Sequence, residues 1–233
     1  NQGTISGIAF EDKNGNLENL SCDDVVYTIP MQAIADLIPS LSTEIKQACR
    51  FVSFRHTIVY YYLLKSQPVL PAMWVFYPES RFRFGRLSEM TKFSPYTAPL
   101  GHTALMVDFT CDDLDPTWSM DDTQLGELLL AQLKPLKLFG RDQVIKSFSK
   151  RFRNFYPVYK IGYQERVEKI RSLEREMHNI YFAGRLGDFN YNNSDQCFDM
   201  GYKVAEHIEQ GNRLQENWQQ TRRNRFEKYR IVD

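Results

Sequence analysis

Residues 4–10 are apolar and β-prone, residues 12–16 (Asp-Lys-Asn-Gly-Asn) form a turn cluster, and residues 17–22 return as a hairpin partner. A near-continuous apolar run at 23–30, ended by Pro30, predicts a buried parallel or central strand. Residues 31–37 read as a short helix, and Ser42 as the N-cap of another that runs to Ala48. The middle is β-rich. Residues 54–65, 73–77, 84–90 and 103–111 carry β-branched and aromatic side chains between proline-bearing loops. Leucines at 125, 128, 129, 133 and 136 draw a helical stripe over 121–139, and 144–155 returns as a strand with basic residues on it.

In the last third, 164–175 reads as a charged helix, 179–183 as a short buried strand and 184–187 as a turn. Residues 195–210 predict an amphipathic helix with Phe198, Gly201, Val204, Ala205 and Ile208 on one face. The tail after Gly211, with Arg222-Arg223-Asn224-Arg225, reads as a solvated or docking helix whose charge run alone is not a site. The stretch 179–196 is the most informative: a strand, a glycine turn, a polar loop, and a helix start at Asn193, Ser194, Asp195 and Gln196. The N–H groups and dipole at such an end suit a phosphate or an electron-rich carbonyl. Gly184 and Gly187 let a ligand approach the backbone. An ordinary β-turn-α corner has the same pattern.

Composition narrows the partners. At 233 residues and 42% hydrophobic, the chain has room for one sizeable core or two small ones. Lys+Arg and Asp+Glu stand at 29 each, which leaves no footprint for nucleic acid or an anionic membrane. No apolar run approaches the roughly 20 residues of a membrane span. The chain opens with Asn1, as a fragment or processed product would, and no signal peptide follows. Cys22, Cys49, Cys111 and Cys197 are scattered, without CxxC or a histidine at ligand spacing. They predict reduced thiols in a cytoplasmic protein and no metal site.

Gly184, Arg185, Leu186 and Gly187, followed by Phe189, Tyr191, Asn193 and Asp195, resemble the C-terminal FAD signature of the amine-oxidase-like flavoprotein superfamily. Within it the match is most similar to UDP-galactopyranose mutases. Upstream, Trp-Val-Phe-Tyr-Pro-Glu at 74–79, Phe-Gly-Arg-Leu-Ser-Glu at 84–89, Phe-Ser-Pro-Tyr at 93–96, Tyr156-Pro157 and Gly162-Tyr163 keep the same order. The resemblance covers most of residues 1–210. Residues 23–30 resemble the element that crosses from the FAD domain toward the substrate domain.

The resemblance implies a mixed α+β and α/β fold: a β-rich substrate domain of antiparallel sheet plus helices, with the C-terminal pieces of a Rossmann-like FAD-binding domain. The expected division is 1–40 partial FAD-binding domain, 41–160 substrate-binding domain, 161–210 C-terminal FAD-binding element and 211–233 tail. It further implies a flavoenzyme acting on a nucleotide sugar, an isomerase in the mutase version. Arg86, Tyr156, Arg185 and Tyr191 would hold the substrate diphosphate, and Gly184, Arg185, Asn193, Ser194, Asp195 and Gln196 would meet the flavin. The chemistry would fall to the flavin N5, with no catalytic side chain from this chain. Bland readings stand beside these: Arg86 as a surface ion pair with Glu79 or Glu89, Tyr156 closing a core, and Asp195 as a helix-start charge. An FAD-dependent oxidoreductase of the amine-oxidase, protoporphyrinogen-oxidase or desaturase type is the alternative. A non-catalytic interaction domain is the third.

The superfamily pattern departs in one place. A dinucleotide fold opens with Gly-x-Gly-x-x-Gly between strand and helix, and these residues contain none. Pyrophosphate and adenosine binding is therefore expected from a missing N-terminal Rossmann segment. Alone, the chain is expected to hold FAD weakly and to be inactive.

Overall fold

The computed structural model describes residues 3–211 and 215–229. Among them run nine strands: β1 (Gly7–Glu11), β2 (Leu17–Ser21), β3 (Val25–Tyr27), β4 (Phe54–Leu64), β5 (Trp74–Phe76), β6 (Arg86–Glu89), β7 (Thr103–Cys111), β8 (Val144–Pro157) and β9 (Ile180–Phe182). The longer helices are α1 (Thr43–Phe51), α2 (Asp122–Leu133), α3 (Tyr163–Arg171), α4 (Ser194–Glu209) and α5 (Gln215–Asn224). The chain divides into two compact units, Asn1–Phe54 with Tyr156–Asp233, and Arg55–Phe155.

The second unit is built on a sheet of order β5-β6-β7-β4-β8, with β5-β6, β6-β7 and β7-β4 antiparallel. Burial alternates strictly along β7, so Leu105, Val107, Phe109 and Cys111 enter the core with Leu87, Ile58 and Tyr62. Leu125, Leu129 and Leu133 of α2 cover that face. Tyrosines are tolerated in this core because their hydroxyls find carbonyls on the covering helix. Tyr60 donates to Asp122 at 2.8 Å and Tyr62 to Gly126 at 2.9 Å. The helix starts at a reciprocal cap in which Asp121 accepts from the Gln124 amide at 2.8 Å. It stops earlier than the leucine stripe predicts, since Pro135 turns its end into a 3-10 turn, Lys134–Leu136.

In the first unit, β3 and β9 pair in parallel, Val25 opposite Ile180 and Tyr27 opposite Phe182, as the 23–30 run predicts, but of that run only Tyr27 is buried, and Val26 and Ile29 are exposed. Both faces of β9 are buried. Ile180 and Phe182 join a cluster with Tyr27, Met31, Ile45 and Ile170, while Tyr181 and Ala183 join Met200, Val204, Trp218 and Phe226. The β1–β2 hairpin closes on Asp12, whose carboxylate accepts from the amides of Asn14 and Asn16, both at 2.8 Å. The Ser42 hydroxyl caps α1 through the Ile45 amide at 3.3 Å. The charged helix of 164–175 is two pieces, α3 and a single turn at Leu173–Glu176.

Helix α4 presents only part of the face its apolar residues suggest: Val204 is buried and Ile208 packs beside it, but the rest turns outward. Its buried stripe is Gln196, Met200, Val204 and His207, while Phe198 is 69% exposed and Gly201 and Ala205 face out. The reason lies in α5, which packs Trp218 onto Met200 and Val204 and so rotates the helix toward its own aromatic. The described part of the tail therefore docks rather than floats; residues 212–214 and 230–233 fall outside the described residues. All four cysteines are unpaired, and burial raises the Cys49 and Cys111 thiols to about 11. No described helix is long and apolar enough to cross a membrane.

His207 carries a pH signature. Its ring lies 5.6 Å from Tyr181 and 5.5 Å from Trp218, and burial holds its pKa below the ordinary 6.5 despite the opposing pull of Asp24 and Glu174. Below about pH 6.5 the unfolded chain takes up a proton that the folded chain resists. Stability is thus expected to fall as pH drops through 6.5 and to level off below the depressed folded value. His207→Phe removes that limb; urea midpoints of both proteins from pH 8 to about 5 check it, and parallel curves refute it.

Candidate functional site

The chain leaves β9 through Ala183 into a one-turn helix, Gly184–Gly187, and reaches α4 across residues 188–193. Gly184 sits at φ +75°, a region that disfavours any side chain, and nothing lies within 4 Å of where its Cβ would be. Backbone bonds from Asp188 to Gly184 (3.0 Å) and from Asn190 to Arg185 (3.1 Å) fold the loop back on its start. Phe189 takes the left-handed region, φ 50°, uncommon for a bulky residue. Its ring is trapped against Phe54 at 5.0 Å and against Tyr159 and Tyr163, both at 6.0 Å.

Gly187 has a different task from the one its sequence suggests. A Cβ there would stand 2.1 Å from the Tyr27 carbonyl oxygen. What approaches this glycine is the chain's own strand β3, not a ligand.

Three of the four predicted diphosphate residues meet. The Arg185 guanidinium lies 5.3 Å from the Tyr156 ring and 4.9 Å from the Tyr191 ring, and the two rings are 5.5 Å apart. Its Nε and Nη2 both donate to the Asn192 carbonyl, at 2.8 and 2.6 Å. Each aromatic face over a cation contributes roughly 0.5–2 kcal/mol. The charge is therefore held in one place, between two phenols, on a partly exposed surface. Such a group suits an anion with several oxygens. Tyr191 is itself tethered, its amide donating to the Tyr159 hydroxyl at 2.7 Å.

Arg86 belongs to the other unit. The β6–β7 register sets it directly opposite Asp108, and Nε donates to that carboxylate at 2.9 Å. Burial pushes the Asp108 carboxyl upward from its ordinary value against the pull of Arg86. The surface ion pair with Glu79 or Glu89 considered for Arg86 gives way to this cross-strand pair. Glu89 is instead fully buried and accepts from the amides of Val69 and Leu70 and from the Thr103 hydroxyl.

At the start of α4, Gln196 turns back to accept from the Asn193 amide at 3.0 Å, while Ser194 and Asp195 are exposed. The first turn of this 16-residue helix thus opens to solvent beside two small polar side chains.

Beneath the loop lies a buried charge network that pattern reading missed. Asp188 accepts from Arg171 at 2.8 Å and also from Arg222. Glu174 accepts from Arg222 at 2.8 Å, from the Phe182 amide at 2.7 Å and from the Trp218 indole at 2.9 Å. Burial works against the Arg222 cation, but Asp188 and Glu174 outweigh it and hold its pKa above the ordinary arginine value. Its two carboxylates sit 34 and 48 positions upstream, where no local pattern links them to Arg222.

Residues 4–208 match the family model of flavin containing amine oxidoreductases. No curated protein sequence matches the chain. Among solved structures, a reduced UDP-galactopyranose mutase superposes with TM-score 0.74 at 22% identity over 89% of this chain and 45% of that one. A putative protoporphyrinogen oxidase from Exiguobacterium sp. 255-15 gives 0.65 at 17% identity, covering 88% of this chain and 44% of that one. A putrescine oxidase triple mutant with redesigned cofactor binding gives 0.61 at 13%, covering 87% and 46%. At these identities the likeness is one of fold, and the chain spans less than half the length of each. The mixed antiparallel sheet and helices share the fold of the mutase.

Proposed function

The chain belongs to the flavin containing amine oxidoreductase family, and on that premise we propose that it holds the ring end of FAD against the diphosphate of a nucleotide sugar. The single observation that carries the reading is the convergence of Tyr156, Arg185 and Tyr191 beside the glycine turn. Gly184 supplies a backbone surface with no side chain over it, where a planar ring fits, and the α4 start supplies N–H groups for a ring carbonyl. Gly184, Arg185 and residues 193–196 are assigned to the flavin on that ground. No Gly-x-Gly-x-x-Gly occurs in these residues, so only the ring end of the cofactor is assigned here. When bound, the flavin supplies the reactive nitrogen. The chain's part is to fix the leaving diphosphate: Arg185 by charge, Tyr156 and Tyr191 by hydroxyls. Arg86, tied to Asp108 in the other unit, is proposed as an anion-binding residue of that unit by itself.

Flavin fluorescence of the reduced, FAD-loaded protein titrated with UDP tests this. Arg185→Ala is expected to weaken UDP binding about ten- to hundredfold, the worth of a charged hydrogen-bonding partner. Lysine should not restore it, because a point charge lacks the planar fork. Absence of UDP binding by the unaltered protein rejects the nucleotide sugar and leaves the family intact.

Exposed Trp74, Phe76 and Phe93, with Trp74 and Phe93 rings 5.5 Å apart, favour a second reading, an oxidoreductase for an apolar substrate. In that case Arg86→Ala leaves turnover unchanged.

A further inference from the structure

The candidate anion site depends on a residue outside the motif that carries it. Tyr191 brings its ring to Arg185, yet its backbone amide donates outward, to the Tyr159 hydroxyl at 2.7 Å. Tyr159 lies 32 positions upstream. It is a rigid post: its ring stacks on Tyr163 at 4.6 Å and meets Phe189 edge-on at 6.0 Å. The same Tyr159 therefore touches both ends of the segment that aims Tyr191, the ring of Phe189 and the amide of Tyr191. Burial raises the phenol pKa, so the hydroxyl stays neutral at physiological pH.

We propose that Tyr159 is a positioning residue for the anion site, its hydroxyl fixing the Tyr191 backbone so that the Tyr156–Arg185–Tyr191 stack is assembled before ligand arrives. The inference rests on the diphosphate reading above and adds to it a residue that touches no ligand. Its physical content is preorganisation. A ligand that must first order Tyr191 loses binding energy to that ordering, and the tether removes the loss in advance. Substituting phenylalanine for Tyr159 keeps both ring contacts and deletes only the acceptor. The freed amide, on an exposed residue, turns to water, so the fold loses little.

The test uses the full FAD-loaded protein with UDP as probe. Tyr159→Phe is expected to raise the UDP dissociation constant about tenfold and to speed amide exchange at Tyr191 by a similar factor, with an unchanged unfolding midpoint. Tyr163→Phe, which removes a hydroxyl from the neighbouring stacked ring, is expected to leave UDP affinity as it was. UDP affinity unaltered in Tyr159→Phe, or lowered equally in Tyr163→Phe, overturns the positioning role while the diphosphate reading survives. Failure of the unaltered protein to bind UDP overturns the reading itself, and the role with it.

Discussion

Replacing Arg222 with methionine is expected to lower the unfolding free energy by about 3–5 kcal/mol at neutral pH, because it strands two buried carboxylates. Glu174 and Asp188 are each about fully buried, and Arg222 is their shared partner. Arg171 remains for Asp188, but among the described residues no other cation faces Glu174, which keeps only the Phe182 amide, the Trp218 indole and the Gln219 amide. At the lower end of the usual total stability of roughly 5–15 kcal/mol, a loss of this size removes most of it. Urea unfolding of both proteins at pH 7 measures this. A deficit under about 1 kcal/mol at pH 7 would mean that the network adds little beyond the packing of Trp218.

The network also bears on the site. Asp188 lies between the Gly184–Gly187 turn and Tyr191, and its carboxylate and carbonyl are both gripped by Arg171. Helix α5, more than 20 residues past the loop, thus supports the loop from below through Arg222.

What the sequence made legible was whatever is encoded over short spans. The strand at 103–111, the leucine-striped helix after Asp121, the Asp12 turn and the parallel strand before Pro30 all follow from neighbouring residues whose chemistry admits one local answer. The glycine turn, Arg185 and Tyr191 lie within one stretch for the same reason. Tyr156 entered only through resemblance, since nothing local links it to residues 29 and 35 positions later. Interactions that close over long distances stayed hidden. Arg222 sits in a run of charges that reads as a solvated or docking helix, and its burial depends on Trp218 docking against Met200 and Val204. The face of α4 was misjudged in part by the same omission, as a stripe is assigned from one helix while the partner that selects it lies elsewhere. Tyr159 was visible only as the end of a Tyr-Pro-Val-Tyr stretch, with no sign that its hydroxyl serves Tyr191.

Three glycines of the last third should respond to alanine in three different ways. At Gly187 a Cβ would lie 2.1 Å from the Tyr27 oxygen and 3.0 Å from Thr28 Cα, all backbone that cannot swing aside. The Tyr27 oxygen also accepts from the Ala183 amide at 3.1 Å, so relief requires parting β3 from β9. Gly187→Ala is therefore expected to cost about 3 kcal/mol, at the upper end for overpacking. Gly184→Ala meets open space, and its cost is the left-handed backbone alone, about 1–2 kcal/mol. Gly201→Ala meets nothing on an exposed turn of α4 and should stabilise by up to about 1 kcal/mol through helix propensity. Ligand binding should sort the three differently from stability. Gly184→Ala places a methyl group on the surface assigned to the flavin, so its effect on FAD affinity should exceed that of the more destabilising Gly187→Ala, both compared at a temperature where each is folded. Urea midpoints rank stability, and FAD affinity, read from flavin fluorescence on titration, ranks binding. If Gly187→Ala proves as stable as the parent, the close approach of β3 to the turn is wrong. If Gly184→Ala binds flavin as well as the parent, the ring does not lie on that backbone.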